Sequence, residues 1–274
     1  MIPGTFVIHS IKYSHIYLFI YSLTRALINS LKSNISSFVD ELCKYNENEV
    51  MKINVFTDGS ALIYGKNCIY ASAGIFITAP SSKSGDGSAG YKCLNINVQE
   101  CGGLVQTPFD AELCAGLFGV LISKLLIRCI NSNSTKFEIK TSFYTDSKTL
   151  VKAVRDGPPT STQDLPENRI SLWSKLADEI KLLESHISNE KVENNIIQWI
   201  PGHPERRELN CSKWNEYDNG IFAADTLAKG DDLTTAITKY ELSTNHTSSF
   251  NDFLIFGSNS ISATELIALL VGVP

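Results

Sequence analysis

Four short segments of this chain each carry a carboxylate in a setting suited to metal-assisted phosphodiester chemistry. They are Phe56-Thr57-Asp58-Gly59-Ser60, Phe109-Asp110-Ala111-Glu112-Leu113, Phe143-Tyr144-Thr145-Asp146-Ser147 and Ala223-Ala224-Asp225-Thr226-Leu227. A fifth, Trp199-Ile200-Pro201-Gly202-His203, adds a histidine between the last two. Hard divalent cations such as Mg²⁺ take oxygen ligands, and Mn²⁺ suits the same set. Two such ions about 3.5–4 Å apart can hold the attacking and leaving oxygens of a phosphodiester. Carboxylates gathered at one point repel one another unless a cation neutralises them. Taken singly, each segment is weak. Asp-Gly-Ser is usually a turn, Asp146-Ser147 is a common helix cap, Glu112 reads as a solvated helix residue and His203 as a loop residue. Asp225 is odder, because an acid among small and apolar residues in mid-helix wants a partner. His9, His15, His186 and His246 have no supporting context.

From Met51 onward the pattern is α/β. Residues 52–57 form a β-rich run that ends at Asp58-Gly59, so Asp58 is expected at a strand end, where side chains meet a site. A second strand is expected over 69–78, and a hairpin loop over the Ser-, Gly- and Pro-rich stretch 79–90. Residues 91–100 alternate, with Leu94, Ile96 and Val98 apolar against Asn95, Asn97 and Gln99, which predicts a half-buried strand. Thr107, Pro108 and Asp110 start a helix with a capping box. Its large apolar stripe is Phe109, Leu113, Leu117, Val120, Leu121 and Leu125. Glu112 shares another face with Ala115, Gly116 and Gly119, small residues that let the helix approach a sheet. A strand over 137–145 ends at Asp146, and 147–155 opens a helix that Gly157-Pro158-Pro159 breaks. Asp164, Pro166 and Glu167 start a helix that runs to about Ile187. A fifth strand is expected over 195–200, then a charged loop over 201–217 with His203, Arg206, Arg207 and Lys213. A helix over 218–229 carries Asp225 near its middle. The tail, 231–274, reads as polar and then helical, capped by Ser262 with Glu265 three residues on.

The chain has 274 residues, 43% of them hydrophobic, enough for a substantial core. A net charge of −5 argues against a broadly basic nucleic-acid-coating surface but leaves room for a local basic patch. Arg206, Arg207 and Lys213 are that patch, beside His203 and in reach of substrate phosphates. Seven cysteines stand singly with no Cys-x-x-Cys pair, which argues against zinc and for free thiols in a reducing compartment. An intracellular location, cytoplasmic or nuclear, follows. Residues 1–50 form a separate N-terminal extension with no acid before Asp40. That is the composition of a mitochondrial transit peptide; the plainer reading is an extra helix over about 16–46 packed on the domain. Its apolar run Ile16-Tyr17-Leu18-Phe19-Ile20-Tyr21 is too short to span a bilayer, and no membrane partner is expected.

Strands, an Asp-bearing strand end, a Glu helix, another Asp-bearing strand end, a Pro-Gly-His loop and an Asp helix follow in series. That order, over residues 51–230, resembles the type 1 ribonuclease H family. The loop Gly202-His203-Pro204-Glu205-Arg206-Arg207, with Trp214 and Asp218-Asn219-Gly220-Ile221, is similar to ribonuclease H domains of reverse-transcriptase-bearing mobile elements. The resemblance implies a mixed five-stranded sheet with helices on both faces, two Mg²⁺ ions, and endonucleolytic cutting of RNA in an RNA–DNA hybrid. It implies Asp58, Glu112, Asp146 and Asp225 as metal-binding carboxylates and His203 as a loop histidine serving proton transfer or product release. Two departures stand out. Gln106-Thr107-Pro108-Phe109-Asp110-Ala111 lacks the polar pair that precedes the helix glutamate in cellular members and contacts RNA 2′-hydroxyls. The stretch 157–170 has only Arg169 against Asp164 and Glu167 and is no basic handle. A non-catalytic ribonuclease-H-like module that binds nucleic acid or tethers a polyprotein is the alternative. A resolvase or exonuclease of the same fold is a third, against which the histidine loop speaks.

Overall fold

A computed structural model of the chain describes residues 25–43, 50–64, 67–80, 91–99, 101, 105, 107–133, 138–157, 167–187, 197–244, 253–263 and 266. Strands β1 (Met51–Tyr64), β2 (Asn67–Pro80) and β3 (Tyr91–Gln99) form an antiparallel meander. On one side β4 (Ile139–Thr145) pairs parallel to β1, and β5 (Ile197–Trp199) parallel to β4. On the other, β6 (Phe253–Ser262) runs parallel to β3. The order across the sheet is β5-β4-β1-β2-β3-β6. Helices α1 (Arg25–Leu42), α2 (Pro108–Asn133), α3 (Lys148–Asp156), α4 (Glu167–Ile187), α5 (Pro204–Arg207), α6 (Glu216–Ala228) and α7 (Leu233–Thr244) complete the described elements. This is the α/β arrangement expected from the sequence, a mixed sheet with helices on both faces, enlarged by one strand.

The two faces of β1 are separated by its period of two. Ile53, Val55 and Thr57 meet α2, where a Cβ on Gly119 would lie 2.7 Å from the Thr57 side chain. Phe56 meets α6, where a Cβ on Gly220 would lie 2.5 Å from the Phe56 ring. Each face therefore owns a core: the larger is built on α2, and a second is built around Phe56, Phe76, Trp214 and Phe222 under α6. The small-residue face expected on α2 divides. Gly119 faces the sheet, whereas Gly116 faces Leu150 of α3 and Leu176 of α4.

The start of α2 is as expected. Thr107 N–H donates to Asp110 Oδ2 at 2.8 Å, and Asp110 N–H donates back to Thr107 Oγ1 at 3.3 Å. Arg169 then reaches the fully buried Asp110 at 2.5 Å, so this arginine ties α4 to α2. Burial extends well beyond one stripe, through Cys114, Ala115, Phe118, Ile122, Leu126 and Ile130. Among the described residues α2 is the one helix long and apolar enough to cross a bilayer, and most of it is packed inside the protein.

Several elements differ from the sequence reading. β1 does not end at Asp58 but continues to Tyr64, because β2 pairs with it from Asp58↔Gly74 out to Tyr64↔Asn67. β3 is buried on both faces, not half-buried; Asn97 Nδ2 donates to the Leu227 carbonyl of α6. The loop after β5 contains α5 and a 3₁₀ turn, Cys211–Lys213. α6 starts earlier than expected, at Glu216, with Asn215 and Asp218 forming a capping box, and it ends at Ala228, so Asp225 falls in the last turn. In the tail, the run through Ser258, Asn259 and Ser260 reads as polar loop but pairs as β6; the strand ends at Ser262, the expected cap position, and Ala263 after it is helical. Residues 1–24, 81–90, 158–166 and nearly all of the terminal helix expected after Ser262 lie outside the described residues. Within the described residues the expected N-terminal helix spans Arg25–Leu42; positions 16–24 and 44–46 of the expected span lie outside them. Phe38, Val39 and Leu42 enter the larger core, and Lys92 Nζ on β3 lies 3.0 Å from Glu41 Oε2.

Candidate metal and nuclease site

Asp58, Glu112 and Asp146 are brought together, with one carboxylate oxygen from each lying within 4.8 Å of the others. The approach of strand to helix depends on Gly59. A Cβ there would lie 2.3 Å from the Ala111 carbonyl carbon and 2.4 Å from Glu112 N, so the β1 backbone abuts the first turns of α2. The Gly59 N–H hydrogen-bonds toward both Asp58 and Glu112. The continuation of β1 past Asp58 thus supplies a donor to the site. Asp146 leaves β4 just before Ser147, whose hydroxyl caps α3. A Cβ on Gly202 would lie 2.0 Å from Asp146 Oδ2, so the loop backbone lies flush against this carboxylate. Trp199 Nε1 donates to the Asp146 carbonyl at 3.0 Å, and Lys148 Nζ sits 4.3 Å from the Trp199 ring centre.

Burial and mutual repulsion both disfavour charge here. Burial pushes Asp58 well above the ordinary carboxylate range, and Asp146 and Asp225 push it further. Glu112 is raised well above its ordinary value by burial first, then by Asp58 and Asp146. Asp146 is raised by burial, with His203 and Lys229 opposing and Asp225 adding to the shift. Glu112 Oε2 is buried with no hydrogen-bond partner. A buried carboxylate oxygen without a donor, beside two more carboxylates, is the environment a hard divalent cation satisfies. The residues present therefore fit such an ion.

Asp225 stands beside this tight group. Its carboxylate hydrogen-bonds with Asp58 and its charge acts on Asp146. Its Oδ2 also lies 2.5 Å from Lys229 Nζ, one turn on. The close contact of α6 with the sheet sets its position: a Cβ on Gly74 would lie 1.9 Å from the Ala224 carbonyl oxygen.

His203 takes the left-handed conformation (φ 52°), the one non-glycine residue to do so among those described. Its Nδ1 faces Glu205 Oε1 at 3.2 Å, and its charge is felt at Asp146. The three basic residues of the loop differ in use. Arg207 bridges the Pro201 and Gly202 carbonyls, each at 3.2 Å, to Asp218 at 2.7 Å. Arg206 and Lys213 are 73% and 65% exposed, each 3.8 Å from its nearest acid, Glu205 and Glu208 respectively. Glu216 instead accepts from Asn54 and Thr78 inside the sheet. Arg207→Ala should therefore loosen the histidine loop. The expected result is a stability loss of about 1 kcal/mol, the ordinary value of such hydrogen bonds, with higher proteolytic sensitivity near residue 203. Unchanged denaturant midpoint and cleavage pattern would remove Arg207 from this role. Gly59, Gly202 and Lys229 were not singled out in the sequence. Only Lys229 had a readable signal, its spacing of four from Asp225 on one helix face.

No family model matches the chain, and no curated protein matches it. Solved structures show a distant similarity over about two thirds of the chain. LC9-RNase H1, described as a type 1 RNase H with the type 2 active-site motif, is 16% identical, with TM-score 0.39 over 67% of this chain and 75% of that one. The RNase H domain of PFV is 15% identical, with TM-score 0.37 over 66% and 94%. LC11-RNase H1, solved with an RNA/DNA hybrid, is 17% identical, with TM-score 0.31 over 67% and 98%. These are ribonuclease H proteins that this chain is distantly similar to.

Proposed function

We propose that the chain is an endonuclease that hydrolyses the RNA strand of RNA–DNA hybrids with two divalent ions, Mg²⁺ or Mn²⁺. The observation that carries this reading is the group of three partly buried, mutually repelling carboxylates with an unpartnered, buried Glu112 oxygen. Asp58, Glu112, Asp146 and Asp225 are the residues that would hold the ions. When bound, such ions stabilise the charge that develops on the attacking and leaving oxygens. The chain's own residues do the rest. Gly59 N–H orients two of the carboxylates, and Gly202 and Trp199 hold Asp146. Hydrolysis adds water to phosphorus and breaks the bond to the 3′ oxygen, so one proton leaves the water and one reaches the leaving oxygen. His203, held by Glu205 and close enough to Asp146 for their charges to interact, is the titratable group suited to carry one of these protons. A cleavage assay on matched RNA–DNA, RNA–RNA and DNA–DNA duplexes with Mg²⁺ tests the proposal. Cutting of RNA in the hybrid alone supports it. Ion binding without cleavage of any duplex would instead identify a non-catalytic binding module.

Metal should also act on stability. Asp58, Glu112 and Asp146 have raised folded-state pKa values. Below the ordinary carboxylate range both folded and unfolded states are protonated and no penalty arises. As pH rises through that range the unfolded chain ionises first, so the metal-free protein loses stability toward neutral pH. Mg²⁺ binds the ionised folded site and reverses this. The melting temperature in chelator should fall as pH rises above about 4, where unfolded carboxylates ionise, and the Mg²⁺-induced increase should grow over the same interval. A pH-independent difference between the two curves would count against a metal-binding carboxylate group.

Arg206 and Lys213 are the exposed cations beside the histidine loop. Replacing both by alanine should weaken binding to all hybrid sequences alike. The log–log salt slope should flatten by about 0.9 per lost phosphate contact. An unchanged slope would leave both as solvated partners of Glu205 and Glu208.

A further inference from the structure

The four carboxylates do not stand in equivalent surroundings. Asp58, Glu112 and Asp146 form the tight group; the Gly59 N–H reaches the first two, and the charge of His203 acts on the third. Asp225 alone has a cationic side chain on it, Lys229 Nζ at 2.5 Å. The root of that lysine is fixed. Lys229 N–H donates to Asp225 O at 3.1 Å, and Gly230, at φ 79°, turns the chain so that its N–H reaches Leu227 O at 2.9 Å. Ser72 of β2 holds the Ala228 carbonyl just before it. The side chain itself is half exposed. Its charge extends past Asp225 to Asp146, the carboxylate on the neighbouring strand end. An exposed pair of this kind is weak, because water screens it and its long side chain loses freedom.

We propose that Lys229 is the resident counter-charge of the Asp225 side of the site, and that it makes loading of the two divalent ions sequential. This rests on the proposed metal-dependent reading of the site. The first ion goes to Asp58, Glu112 and Asp146, where burial leaves carboxylate oxygens uncompensated. The second needs Asp225, and must displace the ammonium before it gains that oxygen. The ammonium occupies the Asp225 oxygen directly, so removing it strengthens the second step far more than the first. Two like charges a few ångströms apart in a half-exposed setting correspond to about a tenfold change in affinity.

Isothermal titration of MnCl₂ into the metal-free full chain is the test, with no substrate present. The wild-type protein should show a tighter and a weaker step. In Lys229→Met the weaker step should tighten about tenfold and the tighter step should move less than about twofold. Lys229→Arg, which keeps the charge, should restore the wild-type separation. Circular dichroism of each variant reports that the fold is kept. Identical isotherms for wild type and Lys229→Met overturn the proposal while leaving the metal site intact. Equal tightening of both steps overturns it too, since that is a general charge effect. Absence of Mn²⁺ binding to the wild-type chain overturns both this proposal and the metal-dependent reading beneath it.

Discussion

Asp146→Asn should reduce hybrid cleavage by more than about a hundredfold while leaving the fold intact, the scale seen when one group stabilising transition-state charge is lost. The side chain is near-isosteric, and its neighbours Gly202 and Trp199 meet it through backbone and carbonyl contacts that the amide tolerates. What changes is the charge available to a cation. Asp58→Asn should be as inactive and should add a second effect. Asp58 is buried and faces Asp146 and Asp225, so the metal-free fold is relieved by its neutralisation. Its melting temperature in chelator should rise by about 2–4 °C, the shift that about 1 kcal/mol gives a chain of this size. Single-turnover cleavage and thermal denaturation of the same samples check both. Turnover near wild type in either variant would sink the assignment of these carboxylates. An Asp58→Asn variant that melts lower in chelator would show that repulsion does not dominate there.

The largest stability effect is expected at a residue with no chemistry. Gly74→Ala should cost about 3 kcal/mol or more, the upper range for overpacking a close-packed interior. The new methyl would meet backbone atoms of α6, Ala224 O at 1.9 Å and Ala228 N at 2.5 Å, and neither can swing aside as a flexible side chain would. α6 must lift, taking Asp225 and Lys229 with it. Gly157→Ala is the comparison. There the space is open and only the backbone, at φ 73° and ψ 176°, is strained, so about 1–2 kcal/mol is expected. Urea denaturation of both variants separates the cases. A Gly74→Ala midpoint as high as that of Gly157→Ala would show that the helix–sheet approach is looser than described.

The sequence revealed the strong local signals. Thr107, Pro108 and Asp110 started α2 where expected, and Ser147 with Gly157 bounded α3, because caps and breakers act within a few residues. The gathering of Asp58, Glu112 and Asp146 was legible as an ordered set of strand ends and a helix. Less visible was anything decided by the opposing element. Asp58-Gly59-Ser60 looks like a turn, yet β2 pairs straight through it, and Gly59 is needed for the approach of α2. Asn95 and Asn97 look like the wet face of β3 until α6 covers them. Ser258-Asn259-Ser260 has no strand pattern of its own, and its pairing partner lies far back in the chain at Asn95, Ile96 and Asn97. Arg207 looked like a phosphate ligand because the acid that takes it, Asp218, belongs to the cap of the following helix.

The parallel pairing of β6 with β3 has a consequence for the order of assembly. Tyr91 must find Phe253 across more than half of the described chain, and such distant closure comes late because its entropy is lost before its contacts form. The carboxylates lie on β1, α2, β4 and α6, all earlier in the chain. During synthesis the acidic group can therefore be assembled while the β3 edge still presents open backbone donors and acceptors. That edge is then exposed to pairing with other chains until β6 arrives. A refolding experiment should resolve two phases, an early one that Mg²⁺ accelerates or stabilises and a slower, metal-insensitive one that closes the sheet.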